Sequence, residues 1–236
     1  MSQHQGLVGL RASIDRRSLL KLGGSSLISA ILSQILPTRA IAAPPNIAPA
    51  VAYKTLMEGN QRFVQAMLLG PHRSTDRRTE LAQGQRPIAT ILSCADSRVP
   101  AELLFDQGLG DLFNVRVAGN IVTPEVLASL EYAVELLETP LLMVLGHERC
   151  GAVTAAVQNQ TVPGHISDFL DEIQPAVIQT KDLPGDPIDN AVIANVQIQI
   201  QQMLKQSDLI RQRQTQGLVT IVGARYDLDS GVVTIL

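Results

Sequence analysis

The chain has no tryptophan, and aromatic residues make up only 3% of its 236 positions, so little is available to stack nucleic-acid bases. Charge of one sign is lacking too. Nineteen basic residues stand against 22 acidic ones, a net charge of −3, which excludes a protein held to nucleic acid mainly by phosphate neutralisation. Cysteine occurs twice, too few for a framework of several disulfides but enough for one bridge or part of a metal site. A clean apolar run of the length a membrane span needs, about twenty residues, is also missing. What is plentiful is apolar residue, 45% of the chain against 17% charged, so a sizeable core can be buried. The length suits one to two domains.

The first forty residues read as an address rather than a fold. Asp15-Arg16-Arg17-Ser18-Leu19-Leu20-Lys21 precedes a weakly apolar run to Leu36, and Ala40-Ile41-Ala42 forms a small-x-small end. Paired arginines before a Gly/Ser-diluted apolar segment resemble a twin-arginine export signal. This predicts a signal over residues 1–42, cleaved near Ala42, and a mature protein in the periplasm or elsewhere in the cell envelope. The alternative is an uncleaved amphipathic or anchoring helix. Residues 43–49 are Pro/Ala-rich and read as a linker, and 50–236 reads as one domain without internal repeats.

Within that domain, apolar spacing predicts helices over Ala50 to Leu69, Pro124 to Leu137, Ser167 to Thr180 and Asn190 to Gln206. Shorter ones are predicted over Thr75 to Gln83, Pro100 to Phe105 and Cys150 to Gln158. Near-continuous apolar runs predict buried strands over Pro87 to Leu92, Asp111 to Val117, Pro140 to Leu145 and Leu218 to Val222. Val232 to Leu236 would return as an antiparallel edge strand after a turn at Asp229-Ser230-Gly231. The alternation implies an α/β fold with a parallel-core sheet flanked by helices, its ligands at the carboxyl ends of the strands.

Both cysteines fall at such ends. Cys94-Ala95-Asp96-Ser97-Arg98 closes one predicted strand, and Gly146-His147-Glu148-Arg149-Cys150-Gly151 follows another. Two thiolates and an imidazole, with a carboxylate nearby, are a tetrahedral zinc ligand set. A Cys94–Cys150 disulfide in a non-enzymatic exported binding protein is the competing reading, because exported proteins meet an oxidising compartment. Asp96 has two possible jobs. It can complete the zinc shell, or it can pair with the planar fork of Arg98 and leave that position to water.

Cys94-x-Asp96-x-Arg98 followed by His147-x-x-Cys150-Gly151 resembles the signature of the β-class carbonic anhydrases. Similar segments continue through Phe105 to Phe113, Val115 to Asn120, Glu131 to Val134 and Val222 to Leu228, so the resemblance covers most of residues 50–236. It implies a zinc lyase that reversibly hydrates CO2 to bicarbonate and a proton by means of zinc-bound hydroxide. Cys94, His147 and Cys150 would hold Zn2+, and Asp96 and Arg98 would form a gating dyad. Gln85, Phe113 and Tyr132 match pocket residues of plant-like members. Ile91 stands where members with a closed, bicarbonate-inhibited site carry tryptophan, so the open-site subgroup is implied. The resemblance also implies an N-terminal helical arm and a homodimer or higher homo-oligomer, with each site at the interface. A hydrolase of carbon disulfide or carbonyl sulfide with the same ligands is the alternative within the fold. His72 and His165 are the remaining histidines available to move a proton.

Overall fold

A computed structural model describes residues 47–236. The expected export signal over residues 1–42 lies outside them, as does most of the linker. Of that linker, Ala48 is extended and Pro49 already opens a helix.

Five strands form one sheet in the order β2-β1-β3-β4-β5. They are β1 (Ala89–Ser93), β2 (Leu112–Arg116), β3 (Leu141–His147), β4 (Thr220–Tyr226) and β5 (Val233–Ile235). The first four run parallel, and β5 pairs antiparallel with β4. Around them lie α1 (Pro49–Val64), α2 (Thr75–Leu81), α3 (Ala101–Leu104), α4 (Pro124–Glu135), α5 (Gly151–Val157), α6 (Ile166–Thr180), α7 (Pro187–Gln206) and α8 (Asp208–Thr215).

The central strands β1 and β3 are buried at every position, which is why they read as unbroken apolar runs. Alternate residues still go to opposite faces. Ile91, Leu141, Met143 and Leu145 pack with Ala52 and Leu56 of α1 and with Leu104 and Phe105. Leu92, Leu142 and Val144 pack with Val126, Leu130 and Val134 of α4, Val196 and Met203 of α7, and Ile210 of α8. Each fully buried aliphatic side chain contributes about 1.5–3 kcal/mol. Two sheet glycines set how close α7 can lie. A Cβ on Gly146 would stand 2.7 Å from Val196 Cγ2, and one on Gly223 2.9 Å from Val196 Cγ1.

Sequence expectation and structure part at several ends. α1 stops at Val64 instead of continuing to Leu69, because the amides of Leu69 and Gly70 leave the helix to donate to the buried carboxylate of Asp106. β3 runs on to His147 and β4 to Tyr226, since the parallel ladder continues through His147 and Tyr226 after the apolar runs end. Cys150 is the cap before α5 rather than its first residue. The short polar helix α8, started by the Ser207 hydroxyl accepting from the Ile210 amide, carries too few apolar residues to show as a pattern. Among the described residues, no helix is long and apolar enough to cross a membrane.

Candidate metal centre

The parallel pairing of β1 with β3 brings Ser93 beside Leu145, so the carboxyl ends of both strands open at one edge of the sheet. Cys94 follows β1, His147 ends β3, and Cys150 caps α5 three residues later. The ligand atoms of these three residues all lie within 4.8 Å of one another. The sulfurs are 3.9 Å apart and both thiols are free. That separation is far beyond the S–S bond of about 2.05 Å, so the disulfide expectation is not met. It instead matches the edge of about 3.8 Å that two sulfurs subtend at one tetrahedral zinc ion.

His147 is fully buried. Its Nδ1 donates to the Glu148 carbonyl at 2.9 Å, which fixes the tautomer and leaves the Nε2 lone pair facing the cysteines. Nε2 has no hydrogen-bond partner. A buried polar atom left this way costs about 1–3 kcal/mol, a debt that a metal ion would cancel. The donor set itself, two thiols and an imidazole, is the one zinc prefers, so the residues present fit the ion.

One thiol holds the other's charge. The Cys150 thiol, then the Gly119 and Asp96 amides, draw Cys94 well below the ordinary thiol range against the opposing effect of burial. Cys150 is pushed up by that same contact with Cys94 and by burial. The Gly119 amide donates to Cys94 Sγ at 3.4 Å.

Asp96 and Arg98 form a closed fork. Arg98 Nε and Nη2 donate to Oδ1 and Oδ2 of Asp96 at 3.0 and 2.7 Å, and the Arg98 amide adds a third bond to Oδ1 at 2.9 Å. The Arg98 side chain holds the Asp96 carboxyl down at about 2, so it is ionised at neutral pH. Its Oδ2 stands 3.8 Å from His147 Nε2. Arg98 also reaches the Arg149 carbonyl at 3.4 Å, tying the two halves of the site together.

The remaining candidates are elsewhere. Gln85 is exposed in the loop before β1. Phe113 pairs with Thr90, upstream of the strand ends, and packs on Tyr132 of α4 with ring centres 6.0 Å apart. His72 is bound to Asp111 at 2.7 Å, and His165 is exposed beside Asp168. Among the described residues, only Cys94, His147 and Cys150 come together as a metal-ligating group of histidine, cysteine and acidic residues.

Sequence reasoning missed Arg116. Its Nε donates to the Cys94 carbonyl at 3.1 Å and its Nη2 to the Asp96 carbonyl at 2.6 Å, clamping the loop that carries both side chains. Backbone carbonyls leave no motif, so only its place at the end of β2, opposite Ser93, pointed to it.

The model of the carbonic anhydrase family matches residues 89–233. The chain is 43% identical over 191 residues to carbonic anhydrase 2 of Mycobacterium tuberculosis, covering 79% of this chain and 92% of that one. It is 42% identical over 193 residues to a carbonic anhydrase of Mycolicibacterium smegmatis, covering 80% and 94%. Among solved structures, the β-carbonic anhydrase CcaA superposes with a TM-score of 0.62 at 30% identity, over 78% of this chain and 94% of that one.

Proposed function

The chain belongs to the β-carbonic anhydrase family, and from that premise we propose how its own residues carry the reaction. The protein is a carbonic anhydrase, an enzyme that interconverts CO2 and water with bicarbonate and a proton.

Our reading makes the metal zinc and its ligands Cys94 Sγ, His147 Nε2 and Cys150 Sγ. One observation carries it: the buried, unpartnered Nε2 of His147 faces two free sulfurs 3.9 Å apart. Zinc bound there would acidify a water toward neutral pH and so supply the nucleophile. The Glu148 carbonyl, by taking the Nδ1 proton, keeps His147 a donor of electrons. Asp96 is anionic, so it can only accept. It orients a nucleophilic oxygen that still carries a proton, and Arg98 keeps that carboxylate aimed. Held by three bonds from Arg98, Asp96 is withheld from the fourth metal position. That favours the plant-like, open-site subgroup, as does Ile91 in place of tryptophan.

We assign the substrate pocket to a homodimer, with Gln85, Phe113 and Tyr132 reaching the neighbouring subunit's centre. The support is the exposure of Gln85 and Tyr132, with Phe113 half-buried. Tyr132 is 45% exposed, and beyond α1 the apolar residues Met67 and Leu69 are exposed by 60% and 74%. Such a stretch is expected to be covered in solution. For residues 1–42 the reading remains a twin-arginine signal, with the enzyme working in the periplasm or cell envelope. Arg16→Lys with Arg17→Lys should leave it in the cytoplasm, and normal export of that variant would overturn the assignment.

The central test measures zinc per chain and CO2 hydration by stopped flow on one purified sample. About one zinc, with activity lost to a chelator, is expected. Hydration by a zinc-free protein would sink the ligand assignment. Zinc without hydration, but with hydrolysis of carbonyl sulfide or carbon disulfide, would move the substrate.

A further inference from the structure

Behind the Cys94 sulfur lies a buried relay of amides that the site as described does not use. The Gly119 amide, which donates to Cys94 Sγ, belongs to a one-turn 3-10 segment over Ala118–Asn120. Gly119 has φ +72°, and a Cβ there would stand 2.7 Å from Ile173 Cδ1, so the turn requires glycine. Glycine leaves the backbone free to rotate unless something fixes it. Helix α7 does so. Asn195 Nδ2 donates to the Gly119 carbonyl at 2.8 Å, Gln199 Nε2 donates to Asn195 Oδ1 at 3.1 Å, and the Val122 amide donates to Gln199 Oε1 at 2.7 Å. Both side chains are essentially fully buried. Each link dictates the next. The Val122 N–H demands the oxygen of Gln199, which turns its nitrogen to Asn195. The oxygen of Asn195 is thereby used, and its nitrogen meets Gly119.

We propose that Asn195 and Gln199 are positioning residues. They hold the Gly119 amide on the Cys94 sulfur and so set how firmly the centre keeps its metal. The inference rests on the reading of Cys94 as a ligand. A thiolate stabilised by an N–H donor spreads less charge onto the metal and is less readily lost from it. Removing such an outer partner costs about 10- to 100-fold in metal affinity.

The test uses the full chain loaded with zinc, and separately with cobalt(II), whose sulfur-to-metal charge-transfer band reports on the thiolates. Asn195→Ala and Gln199→Met should release zinc to a chelator about tenfold faster or more, with the cobalt band moved to lower energy. Met203→Ala, an equally buried change on α7 outside the relay, should lower stability while leaving band and release rate unchanged. If Asn195→Ala does not fold, Gln199→Met carries the comparison. Parental band and release rate in the folded relay variants would overturn the inference and leave the ligand set standing. The absence of any sulfur-to-cobalt band in the parent would overturn the ligand set and this inference together.

Discussion

Two buried polar clusters in this molecule end in opposite conditions. Beside α1, every group is answered. Asp106, buried with φ +46°, accepts from Arg62 Nε at 2.6 Å and from the Leu69 and Gly70 amides at 3.0 and 2.9 Å. Asn60 donates to the Leu104 and Gly231 carbonyls and accepts from the Val233 amide. At the carboxyl ends of β1 and β3, His147 Nε2 faces two free thiols with no partner at all. Burial without satisfaction is expensive, so the first cluster is complete and structural. The second becomes complete only when something outside the chain joins it.

That contrast can be broken from either side. The largest effect is expected for Cys150→Ser, which should strip zinc and reduce hydration to background while the chain stays folded. Metal analysis beside circular dichroism checks both halves, and near-stoichiometric zinc would remove Cys150 from the ligand set. Next comes Asp106→Ala. It orphans two amides and leaves Arg62 unpaired, and should cost about 3–5 kcal/mol in denaturant unfolding with the zinc content of the folded protein unchanged. Loss of zinc there would mean the clusters are coupled. Arg98→Ala should retain zinc and slow hydration about 100-fold, because Asp96 is then free to turn onto the metal. Full activity in that variant would end the gating role.

Acid sharpens the comparison further. Burial pushes the Asp106 carboxyl up, but Arg62 and the two amides outweigh it and the net position is lowered. Its stabilisation is therefore fully present above the unfolded carboxylate value of about 3.9 and is lost as pH falls through the lower folded value. Asp106→Asn should flatten that acid limb of the melting temperature, and an unchanged limb would assign it to other carboxylates. The smallest effect belongs to the exposed pair of Arg149 and Asp229, bidentate at 3.0 and 2.7 Å. Asp229→Ala should leave the melting temperature almost unchanged, because water and salt screen an exposed pair.

The grouping of Cys94, His147 and Cys150 was legible in the sequence because metal chemistry admits few residue types and the strand ends place them. Thr123 and Pro124 announced the start of α4, and the Thr123 hydroxyl does accept from the Val126 amide. Arg116, Asn195 and Gln199 were not legible. Their partners are backbone carbonyls and amides brought near only by the folded sheet, and a glutamine on a helix reads the same whether it faces solvent or a turn. The extension of β3 to His147 was hidden for a related reason: pairing with Tyr226 of β4, far along the chain, carries the strand past its apolar run.

The strand order has a consequence in time. Parallel neighbours cannot be joined by a tight turn, so each ladder here closes a long loop: β1 meets β3 across some fifty residues, and β3 meets β4 across nearly eighty. Sheets dominated by such distant pairings fold slowly. Until β1 and β3 dock, Cys94 and Cys150 are separate exposed thiols, reactive and without a shared ion. The β1–β3 ladder spans the shorter loop, and its closure alone brings the two sulfurs together. The third candidate donor, His147, lies where β3 is extended by its pairing with Tyr226 of β4, so the centre is complete only when both long loops have closed.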